Sequence, residues 1–223
     1  MARPIDSKPE DPYHMINIKD RTFDQLMTFE LMDTQTQVAT LKDTFEILKE
    51  RSAPFMINVE IKDTEEEIVD ATFELAKEVG VLEQVFISSF HHYHAKACEN
   101  YSPSMPFGFL REVAQDFPVE IMLSRKCTPG DAFIINFECI YRDLNRIAPL
   151  IEQLKKKGYK WSFWFTNGTK RETQENTFKS LSGDWSNWKH VDASKLEGWP
   201  YKVDVAIINW PQDYCAVLSE RLK

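Results

Sequence analysis

Short apolar runs alternate along this chain with longer amphipathic ones, and that alternation restricts the fold more than any other feature. The strand-like runs cover residues 55–61, 85–88, 106–110, 133–140, 161–165 and 203–208. They are near-continuous rather than strictly alternating, as expected of strands covered on both faces. Helical runs are interleaved with them. In residues 40–51, Leu41, Thr44, Phe45 and Leu48 recur at helical spacing on one face. Residues 65–79 carry Ile68, Ala71, Phe73, Leu75 and Val79, with Gly80 placed as a C-terminal stop. Another helix begins near His92. Residues 145–157 end in Lys155, Lys156 and Lys157 before Gly158, and basic residues there suit the negative end of a helix dipole. A phosphate site on that lysine run is not expected. Further helices are expected at 172–181 and 212–222, with residues 185–198 as an inserted loop.

Strands and helices in alternation build a parallel sheet with crossover helices. Neither GxGxxG nor GxxxxGK[ST] occurs, so the doubly wound and P-loop nucleotide folds lack their fingerprints. An α/β fold of the TIM-type (β/α) barrel is the better fit. Residues 1–15, polar and proline-containing, read as a flexible tail, and 16–223 as one barrel-type domain. Apolar residues make up 43% of the 223, enough for a sizeable core.

Charge and cysteines narrow the functional classes. With 27 basic and 35 acidic side chains the net charge is −8, and no basic face for nucleic acid is expected. No apolar stretch is long enough to span a membrane, and the first residues have no apolar core of a secretory signal. Cys98, Cys127, Cys139 and Cys215 form no CxxC pair, which argues against zinc and thioredoxin chemistry. Free thiols in a reducing, cytoplasmic setting are the expectation.

Several segments, in order, resemble the glycerophosphodiester phosphodiesterase family. Residues 22–26 (TFDQL) resemble the segment before its second helix. Residues 38–41 (VATL) resemble its "iPTLeevl" motif, with Ala39 at the proline position. Residues 58–62 (NVEIK) match "NiEiK" closely, and 87–90 (ISSF) match "iSSF". Residues 164–167 (WFTN) resemble "WTvN", and 207–211 (IINWP) resemble "iiTDyP", with Ile208 and Asn209 at the Thr and Asp positions. The resemblance implies a (β/α) barrel with its site at the C-terminal strand ends. It also implies metal-dependent hydrolysis of glycerophosphodiesters, with Mg²⁺ or Ca²⁺ as cofactor, and relatives that act on lysolipids. It assigns Glu60 to the metal, and it suggests Lys62 and Trp164 as phosphate and substrate contacts.

The family's His-Arg-Gly, ExD and His-Asp segments do not occur in this sequence: His14 is followed by Met15. About six barrel strands are countable where the resemblance implies eight, so the barrel is expected to lack its first two βα units and to expose open sheet edges for self-association. Glu60 is one carboxylate and cannot hold a divalent cation tightly without partners. Lys62 offers phosphate a point charge. Glu60 and Lys62, two apart on a strand, share a face, as do Ser162 and Trp164. Trp164 either packs the interior or caps a pocket against glycerol or choline. His91, His92 and His94 follow a strand end near the site, and one of them could move protons; HHxH is no helical metal spacing, and a solvated helix start is expected. Two histories fit: a truncated gene model or splice form of an enzyme, or a non-catalytic binding or scaffold relative. An unrelated barrel hydrolase using Glu60 and Glu138 is a weaker third.

Overall fold

The computed structural model describes residues 18–31, 36–51, 55–111, 118–136 and 144–164, with the backbone of Ala2–Pro4 and Val205–Ile207. The chain divides into two compact units, residues 1–54 with 75–82, and residues 55–74 with 83–223.

In the first unit, β1 (Ala2–Pro4) pairs antiparallel with β2 (Phe29–Leu31), Ala2 opposite Leu31. Ala2–Pro4 belongs to the segment read as a tail. Two helices follow the same local logic. Thr22 caps α1 (Phe23–Leu26), and the Gln25 side chain accepts in return from the Thr22 N–H. Thr40 and Asp43 repeat this box at the start of α2 (Leu41–Lys49). Phe45 is fully buried in α2, with Leu41, Thr44 and Leu48 half-buried beside it, as the spacing predicts.

The second unit holds the sheet. Six strands lie in chain order, all parallel: β3 (Ile57–Ile61), β4 (Val85–Ser89), β5 (Phe107–Arg111), β6 (Ala132–Asn136), β7 (Lys160–Trp164) and β8 (Val205–Ile207). Each neighbours its successor, which is the connectivity of a (β/α) barrel. The sheet does not close among the described residues: β3 and β8 are its two edges. The helices are α3 (Glu67–Val79), which continues into the first unit, α4 (His94–Tyr101), α5 (Val119–Ser124) and α6 (Leu144–Lys157). No described helix is long and apolar enough to cross a membrane.

The buried stripe of α3 is a correction. Ile68 and Ala71 are exposed; Val69, Thr72, Phe73, Ala76 and Val79 are buried. Those five recur every three or four residues, whereas Ile68 borders the stripe in the first turn and Ala71 lies well away from it. Gly80 ends the helix as read, at φ +89°, and its N–H and that of Val81 both return to the Ala76 carbonyl.

The strand read at 106–110 is shifted by one residue and is central. Four of the five residues of β5 are buried. Gly108 makes this possible, since a Cβ there would lie 2.8 Å from Ser88 Cβ and 2.9 Å from Ile134 Cδ1. β6 starts one residue early, at Ala132, and residues 137–140 lie outside the described set. So do the helices read at 172–181 and 212–222, the loop at 185–198, and residues 5–15 of the tail.

Strand pairing sorts the side chains into two faces. Asn58 and Glu60, Phe86 and Ser88, Gly108 and Leu110, Ala132 and Ile134, and Ser162 and Trp164 share one of them. There Leu110, Ala132 and Ile134 form a buried cluster against which Phe90 and Trp164 pack. Phe90 follows β4 and Trp164 ends β7, three strand spacings or about 14 Å away in a flat sheet. Their rings nevertheless meet edge to face at 6.1 Å. The sheet therefore curls around this face, which is the inner one. Phe107, Phe109, Phe133, Ile135, Trp161 and Phe163 fill the outer face, all with almost no exposure. On the outside, α4 packs on β5 and α6 on β7.

At the N-terminal ends of the strands Asp131 is a buried clasp. Its carboxylate accepts from the N–H groups of Phe107 (2.8 Å) and Thr128 (2.7 Å) and from the Arg125 guanidinium (3.2 and 3.4 Å). Arg125 also donates to the Ala95 carbonyl at 2.6 Å. That end of a (β/α) barrel carries stability rather than chemistry.

Candidate functional site

β3 positions the acidic candidate. Ile57 and Ile61 are buried, so Asn58 and Glu60 turn to the inner face, and Glu60 reaches the C-terminal end of the strand. The register places it beside Ser88 on β4. Lys62 follows directly, its Nζ 3.5 Å from a Glu60 carboxylate oxygen. Lys62 is 80% exposed and Glu60 36%, so the ion pair adds little stability. What it does is hold a cation and a carboxylate together at the strand ends.

This donor set does not fit a divalent cation. Among the described residues no group of three His, Cys, Asp or Glu side chains is placed to hold one. Glu60 is partnered by an ammonium, the opposite of what a metal ligand requires. Glu138 lies outside the described residues.

Trp164 sits at the same end of the sheet, half-buried over the Leu110, Ala132 and Ile134 cluster. Packing is therefore part of its role. Its indole Nε1 and the hydroxyls of Ser88 and Ser162 are buried on the inner face with no hydrogen-bond partner among the described residues.

The histidines are not a solvated helix start. His92 and His94 are buried, at 7% and 0% exposure, and His91 is half-buried. Local hydrogen bonds draw them in. Ser89 donates to the Ile61 carbonyl at 2.7 Å, so its oxygen accepts from His94 Nδ1 at 3.1 Å and from the His91 N–H at 3.0 Å. His92 lies edge-on to Phe109, with ring centroids 5.5 Å apart. Its Nε2 lies 3.2 Å from the Leu110 carbonyl and its Nδ1 3.0 Å from Arg111 Nη2. A carbonyl only accepts and a guanidinium only donates, which assigns the neutral Nε2–H tautomer. Burial and the Arg111 charge push its pKa down to about 4, with the Leu110 carbonyl opposing them. Burial also lowers that of His94. With both ring nitrogens engaged and a pKa near 4, His92 is not a proton carrier near neutral pH.

Arg111, at the C-terminal end of β5, is the residue the sequence reading missed. Among the described residues, Lys62 and Arg111 are the two Lys or Arg side chains at the C-terminal ends of the sheet strands. A basic residue closing an apolar strand run was the available signal. Cys98 and Cys127 are free thiols as expected, and burial pushes Cys98 up to about 12, leaving it inert. Lys155–Lys157 close α6, where Lys156 pairs with Glu152 and Lys157 with the Leu123 carbonyl.

Comparison with solved structures supports the barrel assignment. A glycerophosphodiester phosphodiesterase from Parabacteroides distasonis superposes with a TM-score of 0.63 at 12% identity, covering 91% of this chain and 72% of that one. A candidate glycerophosphodiester phosphodiesterase from Galdieria sulphuraria gives 0.66 at 17% identity, with coverages of 92% and 72%. The Agrobacterium tumefaciens glycerophosphodiester phosphodiesterase gives 0.55 at 15%, with 86% and 70%. No protein-family model and no curated protein matches the sequence. At these identities the likeness establishes the fold: this chain has the (β/α) barrel architecture of those proteins, with six parallel strands described and the ring open among them.

Proposed function

We propose that this chain is a glycerophosphodiester phosphodiesterase-type barrel that binds a glycerophosphodiester, lysolipid or glycerol phosphate at the C-terminal strand ends without turning it over. One observation carries the reading: the sequence NVEIK forms a strand that delivers Glu60 and Lys62 together to that end of the sheet. The solved structures of like fold bear the names of glycerophosphodiester phosphodiesterases. In this assignment Lys62 contacts phosphate as a point charge, and Trp164 borders the alcohol moiety. Hydrolysis of such a diester needs charge neutralisation and an acid–base pair. No group of three His, Cys, Asp or Glu side chains among the described residues is placed to hold a cation, and burial lowers the pKa of both His92 and His94.

The test is direct. Glycerophosphocholine with Mg²⁺ or Ca²⁺ is expected to give no turnover above blank, while glycerol 3-phosphate binds in calorimetry and Lys62→Met weakens it. Turnover abolished by Glu60→Ala would instead establish a working enzyme with a substitute base. Equal binding by wild type and Lys62→Met would remove Lys62 from the site.

A further inference from the structure

We infer that the segment 89–94 is a clamp on the end of β3, with Ser89 and Tyr93 as positioning residues that fix the direction of Lys62 toward phosphate. This rests on the phosphate reading above, and it gives a role to a histidine-rich segment that reading does not use.

An ammonium on a flexible stem finds a phosphate reproducibly only if the backbone that carries it is held. Lys62 lies just past the last residue of β3, beyond the paired part of the strand. Two hydroxyls from the β4 side hold the chain there. Ser89 donates to the Ile61 carbonyl at 2.7 Å, one residue before Lys62. Tyr93 donates to the Thr64 carbonyl at 2.9 Å, two residues after it. Between these anchors Asp63 Oδ1 accepts from the Glu65 N–H at 3.1 Å, a local turn that leads the chain on toward α3. Lys62 is therefore bracketed, with one fixed carbonyl on each side of it.

The two hydroxyls are themselves aimed. Ser89 is fully buried, and its oxygen accepts from the His91 N–H at 3.0 Å and from His94 Nδ1 at 3.1 Å. With both lone pairs taken, its single proton is directed at Ile61. The Tyr93 ring lies against the rings of His91 and His94, with centroids 5.6 and 4.7 Å away, and those two imidazoles meet each other at 5.8 Å. Tyr93 thus reaches Thr64 from a packed cluster of three rings. In this role the two histidines orient hydroxyls and need no contact with the ligand.

Calorimetry with inorganic phosphate and with glycerol 3-phosphate tests this on the full chain, together with melting temperatures and hydrogen exchange of the amides at 62–65. The variants are Tyr93→Phe, Ser89→Ala and Lys62→Met, the first two also combined with the third, and Asp131→Asn as a control for lost stability alone. Tyr93→Phe and Ser89→Ala each remove one neutral hydrogen bond and are expected to weaken phosphate by about two- to tenfold. Both should speed exchange at 62–65. In the Lys62→Met background neither should change the binding that remains. Asp131→Asn should lower melting and leave phosphate affinity and exchange at 62–65 alone. A hydroxyl loss that lowers melting with phosphate affinity unchanged overturns the inference, as does one that weakens phosphate equally with and without Lys62. If Lys62→Met removes binding altogether, exchange decides: weaker phosphate with faster exchange at 62–65 supports the clamp, and weaker phosphate with unchanged exchange overturns it. Should Ser89→Ala fail to fold, Tyr93→Phe, at an exposed position, decides alone. Phosphate binding that needs Lys62 but neither hydroxyl overturns the inference and leaves the proposed function standing. Binding that needs Lys62 and both hydroxyls, with no preference for glycerol 3-phosphate, keeps the inference and overturns the proposed function. Absence of any phosphate binding overturns both.

Discussion

Both ring nitrogens of His92 are committed in its neutral form, so a proton can be added only by breaking the contact with Arg111. Its pKa falls from 6.5 in the unfolded chain to about 4 in the fold. Below 6.5 the unfolded chain therefore takes up a proton that the folded one refuses. The stabilisation is complete above 6.5 and is lost progressively down to about 4, roughly 3 kcal/mol for a shift of this size. His94, also lowered by burial, acts in the same direction. Denaturant unfolding of wild type and His92→Gln between pH 4 and 8 checks it: the wild-type slope should exceed that of the variant, and equal slopes would remove His92 as the titrating group. A second residue-scale expectation concerns Gly108. Gly108→Ala puts a methyl against Ser88 Cβ and Ile134 Cδ1 and should cost about 1–3 kcal/mol. Ser88→Ala alone removes a buried hydroxyl without a partner among the described residues and should leave stability equal or higher. It should not rescue Gly108→Ala, because the clash is with the Cβ that alanine keeps; Ser88→Gly should rescue in part. Thermal melts of the four variants settle the pattern. Glu60 and Lys62 were legible because a strand's period of two places them without knowledge of any neighbour. The His92–Arg111 contact joins residues from different elements through an 18-residue separation of His92 and Leu110, and no local period reports it.

At the level of elements, amphipathic periodicity carried the reading where the repeat was unbroken. The half-buried and buried face of α2 falls where the spacing puts it, whereas in α3 two apolar residues, Ile68 and Ala71, lie outside the buried stripe and blur the signal. Strand β5 contains a glycine, which ordinarily weakens a strand. Here the glycine is required by the close approach of Ser88 and Ile134 across the inner face, a tertiary demand. The Arg125–Asp131 clasp was equally illegible: two charged residues in a polar connection gave no hint of near-complete burial. It ties the starts of β5 and β6 to the segment after α5, through the Phe107 and Thr128 N–H groups. Removing one charge of a buried pair leaves the other uncompensated, so Asp131→Asn should destabilise by about 3–5 kcal/mol. Because the clasp lies at the opposite end of the strands from Glu60 and Arg111, phosphate affinity of the folded fraction should not change. Urea unfolding together with calorimetry separates the two effects. A change in affinity at unchanged stability would show that the clasp reaches the site.

For the molecule as a whole the decisive feature is the order of the sheet. Six strands run in sequence with β3 at one edge and β8 at the other, and among the described strands β3 pairs with β4 alone. A barrel removes its edges only by closing, and an edge strand presents N–H and C=O groups that pair readily with another chain. The usual protections are weak on β3. It contains no proline, its single charge is Glu60 on the inner face, and Met56 just before it is 58% exposed. Parallel pairing through β3 would also cover the exposed Asn58 side of the inner face. We therefore expect concentration-dependent self-association of the purified chain, seen by sedimentation velocity as a dimer or larger species that dissociates on dilution. Asn58→Lys, which adds charge at an exposed position of this edge strand, should shift the distribution toward monomer. A wild-type chain that stays monomeric across the accessible concentrations, with a sharp melt above about 60 °C, would mean that the β3 edge is satisfied within the molecule.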